Sequence, residues 1–209
     1  MTAYKKIRRW LVVIINNEKK DTCDTIRNFE VMKLELYVVR HGQTIVNVKG
    51  LINARNMIGI NRKGKEEANI AAGQIENLKL DLIFCSPLRR TKQTCNIINK
   101  NKIKVLYDRI LERNSRSMQF KKVEKLDFKE WYNIDKTKVY KNSEGFKSIL
   151  TRVKNFLEDI KREYQNKSIL IVTHGDVCKA IYAYLNNITD EKEISLFEQG
   201  NCEIKKYNY

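Results

Sequence analysis

The sequence predicts an α/β fold, and two observations carry that expectation. Short apolar runs at 34–39, 80–85, 103–107 and 169–173 have the length and composition of strands covered on both faces. Between them lie stretches with apolar residues at helical spacing, as amphipathic helices packed on a sheet require. The first run, Leu34 to Val39, is β-branched or aromatic in its second half and ends abruptly at Arg40-His41-Gly42. A buried strand ending this way delivers a cation and a nitrogen nucleophile to the edge where ligands of open α/β sheets bind. Gly42 is expected to free the backbone to turn and to leave room for a ligand.

Residues 1–31 carry an apolar run, Trp10 to Ile15, preceded by Lys5, Lys6, Arg8 and Arg9. The run is shorter than the apolar core of a signal peptide, about 7–15 residues, and no small-residue cleavage site follows. This segment is expected to be a loosely attached extension, arising from an early start codon; packing of 10–15 on the domain is the alternative. From Asn47 to Ile60 the chain is polar and suits an active-site loop. Asn61 can cap the helix that follows, whose stripe is Ala68, Ala71, Ala72, Ile75 and Leu78. The second strand leads into Ser86-Pro87, the only proline in the chain, where a strand must end and a helix begin. The helix from Leu88 to about Asn99 opens with Arg89 and Arg90, and a helix N-terminus bearing an arginine is a good anion site.

Residues 114–143 read as a polar, mostly helical stretch containing Trp131, Tyr132 and Tyr140. Ile149, Leu150, Val153, Phe156, Leu157 and Ile160 then form a core stripe, not a cofactor site. Strand Ile169 to Thr173 carries His174, and Asp176 is expected to cap a helix over Val177–Leu185. The chain's two histidines, His41 and His174, each precede a Gly at the end of an apolar run, so both imidazoles are expected to face one site.

At 209 residues and 42% hydrophobic content, one domain with a sizeable core is expected. The net charge of +16 suits anions, but the basic residues are scattered with no dense run, which argues against nucleic-acid binding. Five cysteines form no Cys-x-x-Cys pair and no metal spacing with the histidines, so a reducing cytoplasm is expected. No apolar run approaches the roughly 18 residues that span a bilayer, so no membrane partner is expected. The oligomeric state stays open.

Arg40-His41-Gly42 after a strand, with Thr44 and Asn47 behind it, begins a set of ordered blocks. SPLRRTKQT at 86–94, Leu-Glu-Arg at 111–113 and Thr-His-Gly at 173–175 complete it. Together they resemble the histidine phosphatase superfamily, which includes phosphoglycerate mutases and many small phosphatases. The resemblance covers about Met32 to Tyr209. It implies a three-layer α/β/α sandwich with a mostly parallel central sheet, an antiparallel edge strand through Ile204 and Tyr207, and a helical cap insert at 114–143. It implies His41 as nucleophile, Glu112 as proton donor, His174 as a second, protonated imidazole, and Arg40, Arg90 and Asn47 as phosphate ligands, with Arg89 at the surface. Gly59-Ile60-Asn61 departs from the family's pattern, as does Asn114 to Phe120.

The activity implied is hydrolysis of a small phosphomonoester through a phosphohistidine, with no metal or cofactor. A phosphoglycerate mutase is the alternative, disfavoured because the chain from Met32 is short for one. A non-catalytic phospho-ligand module is a third reading, against which the retained polar side chains argue. His41 must be neutral to attack while His174 works best protonated, so opposite pKa tendencies are expected.

Overall fold

The computed structural model describes residues 34–99 and 104–209. The expected extension over 1–31 lies outside the described residues, as does Cys23. In chain order the elements are β1 (Glu35–Arg40), α1 (Ile45–Val48), α2 (Arg62–Glu76), β2 (Leu82–Cys85), α3 (Arg89–Ile98) and β3 (Lys104–Leu106). Then follow α4 (Phe128–Trp131), β4 (Lys138–Val139), β5 (Ser143–Glu144) and α5 (Phe146–Glu163). The chain closes with β6 (Ser168–Thr173), α6 (Gly175–Leu185), α7 (Glu191–Leu196) and β7 (Ile204–Asn208).

Among the described residues, five strands form one sheet in the order β3-β2-β6-β1-β7. The first four run parallel, and β7 pairs antiparallel with β1 at the edge, as expected. Strand side chains alternate between the two faces. Leu36, Val38, Phe84, Ile169 and Ile171 face a core completed by α5 and α6. Tyr37, Val39, Ile83, Leu170 and Val172 face the opposite core, beneath Ala68, Ala71 and Ile75 of α2 and Cys95 and Ile98 of α3. That is the three-layer sandwich. Phe156, fully buried on α5, stands edge-on to Phe84 at 5.2 Å, and its truncation to Ala would cost about 3–5 kcal/mol. Cys85, Cys95, Cys178 and Cys202 are buried, acting as small hydrophobes.

Three expectations are corrected here. The insert at 114–143 is not mostly helical: single 3₁₀ turns at Arg116–Met118 and Val123–Lys125, the one-turn α4 and the β4–β5 ladder make it up. Tyr140, Lys141 and Asn142 all have positive φ, which closes that ladder tightly and forbids a helix through it. Its anchors are Trp131, Tyr132 and Val139, buried against the core of α5. Asp176 does not cap a helix beginning at Val177. Helix α6 starts at Gly175 with His174 at the N-cap, and Asp176 turns instead toward a buried arginine. Gly42 does not use left-handed backbone, and no ligand space adjoins its Cα. A Cβ there would lie 2.4 Å from the carbonyl oxygen of Gly64 at the start of α2. The glycine is needed because two backbones touch. Asn61 does cap α2, its Oδ1 accepting from the Gly64 N–H at 2.8 Å.

Candidate active site

Strands β1 and β6 run side by side with Arg40 opposite Thr173, and the His41 N–H donates to the Thr173 carbonyl at 2.9 Å. That register sets the two His-Gly pairs next to each other at the sheet's carboxyl edge. The rings of His41 and His174 lie 5.3 Å apart, edge to face.

His41 is buried, with Nδ1 2.9 Å from the Gly42 carbonyl oxygen. A carbonyl only accepts, so Nδ1 carries the proton and Nε2 keeps its lone pair. Burial, reinforced by the guanidiniums of Arg90 and Arg40, holds the ring's pKa well below that of an ordinary histidine. The Asn201 Nδ2 donates to the His41 carbonyl at 2.7 Å and fixes the backbone behind the ring.

Arg40 donates from Nη1 to the Gln199 carbonyl at 2.9 Å. Gln199 is itself clamped through Nε2 to the carbonyls of Val38 and Glu203, both at 2.8 Å. Arg90 is fully buried, whereas Arg89 is exposed, as expected. Its Nη2 and Nη1 donate to the carbonyls of Ala54 at 2.7 Å and Asn56 at 3.0 Å. Ala54 sits at φ 51°, a left-handed position in the turn that offers these carbonyls. Burial draws the Arg90 pKa down to about 10, against the pull of Glu112. Thr94, one turn along α3, donates to the Arg90 carbonyl at 2.8 Å and accepts from the Gly42 N–H at 3.0 Å. The helix and the His41 turn are thereby locked together.

His174 is fully buried, its Nε2 2.7 Å from Ser86 Oγ. Among the described residues, its Nδ1 and the Nε atoms of Arg40 and Arg90 find no partner. The opposite pKa tendencies expected of the two imidazoles are not seen. Burial, then Arg90 and His41, lowers His174 as well. Two buried rings beside two guanidiniums both resist a further positive charge, and only an anion alongside His174 would reverse that.

Glu112 follows a 3₁₀ turn, Asp108–Ile110, whose Ile110 carbonyl accepts from Thr173 Oγ1 at 2.8 Å and so ties the acid to β6. Its Oε1 accepts from the Arg113 N–H at 2.8 Å. Burial first, and then the carboxylate of Asp176, push its pKa up to about 7 against the opposing pull of Arg90. Asn47 belongs to a reciprocal cap of α1: its Oδ1 accepts from the Thr44 N–H at 3.0 Å and Thr44 Oγ1 at 2.8 Å, leaving Nδ2 as its remaining donor.

Arg40, His41, Asn47 and Glu112 line a cavity of about 550 Å³, while Arg90 and His174 stand fully buried beside His41. All six predicted residues therefore converge. Sequence reasoning missed Ser86, Thr94, Gln199 and Asn201, the residues that orient them. Ser86 had a signal, standing between a strand and Pro87 in front of Arg90; Gln199 and Asn201 had none. Among the described residues, no group of three or more His, Cys, Asp or Glu could hold a metal ion, and no helix is long and apolar enough to cross a membrane.

Residues 36–209 match the profile of the histidine phosphatase superfamily, branch 1. The chain belongs to that family. Phosphoserine phosphatase 1 of Hydrogenobacter thermophilus is 27% identical over 183 residues, spanning 84% of this chain and 85% of its own. The adenosylcobalamin/alpha-ribazole phosphatase of Escherichia coli is 24% identical, over 73% of this chain and 79% of its own. Among solved structures, phosphoserine phosphatase of Entamoeba histolytica in complex with 3-phosphoglyceric acid superposes with a TM-score of 0.74 at 24% identity. That match covers 83% of this chain and 89% of the other, and supports the fold. This histidine phosphatase is thus an enzyme of the phosphoric monoester hydrolase kind.

Proposed function

We propose that the enzyme hydrolyses small phosphomonoesters without a metal, through a phosphohistidine on His41. The observation that carries this reading is the His41 ring: Nδ1 tied to a carbonyl, its basicity suppressed, and Nε2 left as an unprotonated nucleophile between two guanidiniums.

Phosphoryl transfer has a loose transition state, so placement and charge stabilisation supply most of the catalysis. Arg40 and Arg90 offer forked donors to the phosphoryl oxygens and meet its nearly two negative charges. Each such cation at about 4 Å contributes on the order of 4 kcal/mol at an effective dielectric near 20, before desolvation is subtracted. The dianion would in turn raise the pKa of His174, whose Nδ1 is then a third donor. His41 Nε2 attacks phosphorus in line, forming the N–P bond as the ester P–O bond breaks. Glu112, with a pKa of about 7, gives its proton to the departing alkoxide. The resulting carboxylate takes a proton from water, whose oxygen attacks phosphorus and releases phosphate and free His41. Hydrolysis, rather than return to a second hydroxyl as in a mutase, is supported by relatives that are named phosphatases.

Assay of p-nitrophenyl phosphate in excess EDTA tests this. Undiminished turnover, with acid-labile, base-stable phosphate trapped on His41 after rapid quench, is expected. Activity that vanishes in EDTA and returns with Mg²⁺ would overturn the metal-free route.

A further inference from the structure

The leaving-group side of the cavity differs sharply from its phosphate floor. Leu51, Val123, Leu126, Phe128, Trp131 and Phe197 line it, with the uncharged polar side chains of Asn53, Ser115 and Ser195 among them. The apolar surface continues outward: Val123 is 36% and Phe128 44% exposed at the rim, and Leu196, beside the lining residue Phe197, is 69% exposed. The cations on that side are already committed. Lys179 spends its three N–H donors on the carbonyls of Ile194 at 3.1 Å, Ser195 at 2.8 Å and Phe197, at the end of α7. Arg113, fully buried, gives Nε to Asp176 at 2.6 Å and Nη1 to the carbonyls of Trp131 and Glu144, and its partnerless Nη2 has no exposed surface. Asp176 is committed in turn, to Arg113 and to the Tyr132 hydroxyl, and Glu112 carries the proton it is to deliver, so the lining carboxylate in no ion pair among the described residues is Glu198. A carboxylate on the leaving group would meet apolar walls and Glu198, with no accessible N–H of Lys179 or Arg113 left to receive it.

The geometry points to a substrate whose leaving group is an uncharged, apolar alcohol, an alkyl or aryl chain of several carbons, in preference to an amino acid or glycerate. This rests on the phosphatase reading above and names the substrate class for the same site. At about 550 Å³ the cavity has room for such a chain beyond the phosphate.

The test is a homologous series of n-alkyl phosphates from ethyl to octyl, whose leaving groups share one basicity, run against O-phosphoserine. Each methylene laid on the wall is expected to raise kcat/KM by about fourfold until the chain reaches solvent. Phe128→Ser should lower the octyl-to-ethyl ratio by about threefold or more. A flat series, or phosphoserine turned over faster than octyl phosphate, would overturn the assignment while leaving the catalytic reading intact. The matching n-alkylphosphonates, whose C–P bond the site cannot cleave, separate selection from chemistry. Calorimetric affinity that rises with chain length supports the apolar subsite even if hydrolysis fails, and affinity indifferent to length overturns it.

Discussion

Replacing Glu112 with Gln perturbs activity and stability in opposite directions. The isosteric amide keeps an oxygen for the Arg113 N–H, which Oε1 of Glu112 accepts at 2.8 Å, so the backbone need not move. As an acid Glu112 is expected to contribute about 10²–10⁴-fold, felt where the departing oxygen is strongly basic. Turnover of ethyl phosphate should fall by about that factor, while p-nitrophenyl phosphate, whose phenolate leaves unaided, should lose about tenfold or less. Stability moves the other way. The carboxyl is buried, and its pKa is raised from 4.5 to about 7. A carboxyl with a raised pKa holds its proton longer in the folded chain than in the unfolded one, so its cost grows as pH rises through the window from 4.5 to about 7 and is constant above it. At about 1.4 kcal/mol per pKa unit, the ionised carboxylate costs the fold on the order of 3 kcal/mol at pH 8. Urea unfolding of the variant and the parent at pH 5 and pH 8 reads this directly. The variant should gain on the parent between the two pH values by about that amount. A stability difference independent of pH, or equal losses on both esters, would refute the reasoning.

Other perturbations test the surrounding structure. Asp176→Asn removes a charge that raises the Glu112 pKa, so the alkaline limb of kcat/KM for an alkyl phosphate should move to lower pH, with Arg90, Arg40 and the Arg113 backbone N–H left facing the acid; an unmoved limb would show that Asp176 does not tune it. The same change strands Arg113 in the interior and should cost about 3–5 kcal/mol of stability. Ser86→Ala deprives His174 Nε2 of its 2.7 Å partner. Its kcat should fall about tenfold or more as the ring loses its orientation, and an unchanged kcat would remove Ser86 from that role. Gly64→Ala reverses the usual helix rule: Ala is favoured over Gly in helices by about 1 kcal/mol, but here its Cβ would lie 2.3 Å from the Gln43 carbonyl oxygen. A loss of about 1–3 kcal/mol in urea unfolding is expected, and a gain would contradict the contact.

The parts legible in the sequence were those encoded within a few residues. Leu34 to Val39 and Ile169 to Thr173 announce buried strands by their side chains alone, and the His-Gly pairs at their ends need only a parallel register to meet. Arg90 could be told from Arg89 only through the family resemblance, by its place in the block after Ser86. Asp176 was misread because capping is a local rule, whereas its partner Arg113 stands 63 positions away. The insert looked helical because its lysines and glutamates have good helix propensity. Its fold is set instead by Trp131, Tyr132 and Val139 docking on α5, a tertiary effect that propensity does not register. The shared pKa direction of His41 and His174 depends on how deeply both rings and Arg90 are enclosed, and burial of that degree is a property of the assembled sandwich.

Three adjoining parallel strands, β2, β6 and β1, deliver Ser86, His174 and His41, and each must cross over from a distant part of the chain to reach its neighbour. Such non-local pairings close slowly and cannot be made one at a time. No fragment or half-collapsed intermediate would own even a crude version of the catalytic apparatus, so regained turnover after dilution from urea would clock completion of the sheet itself.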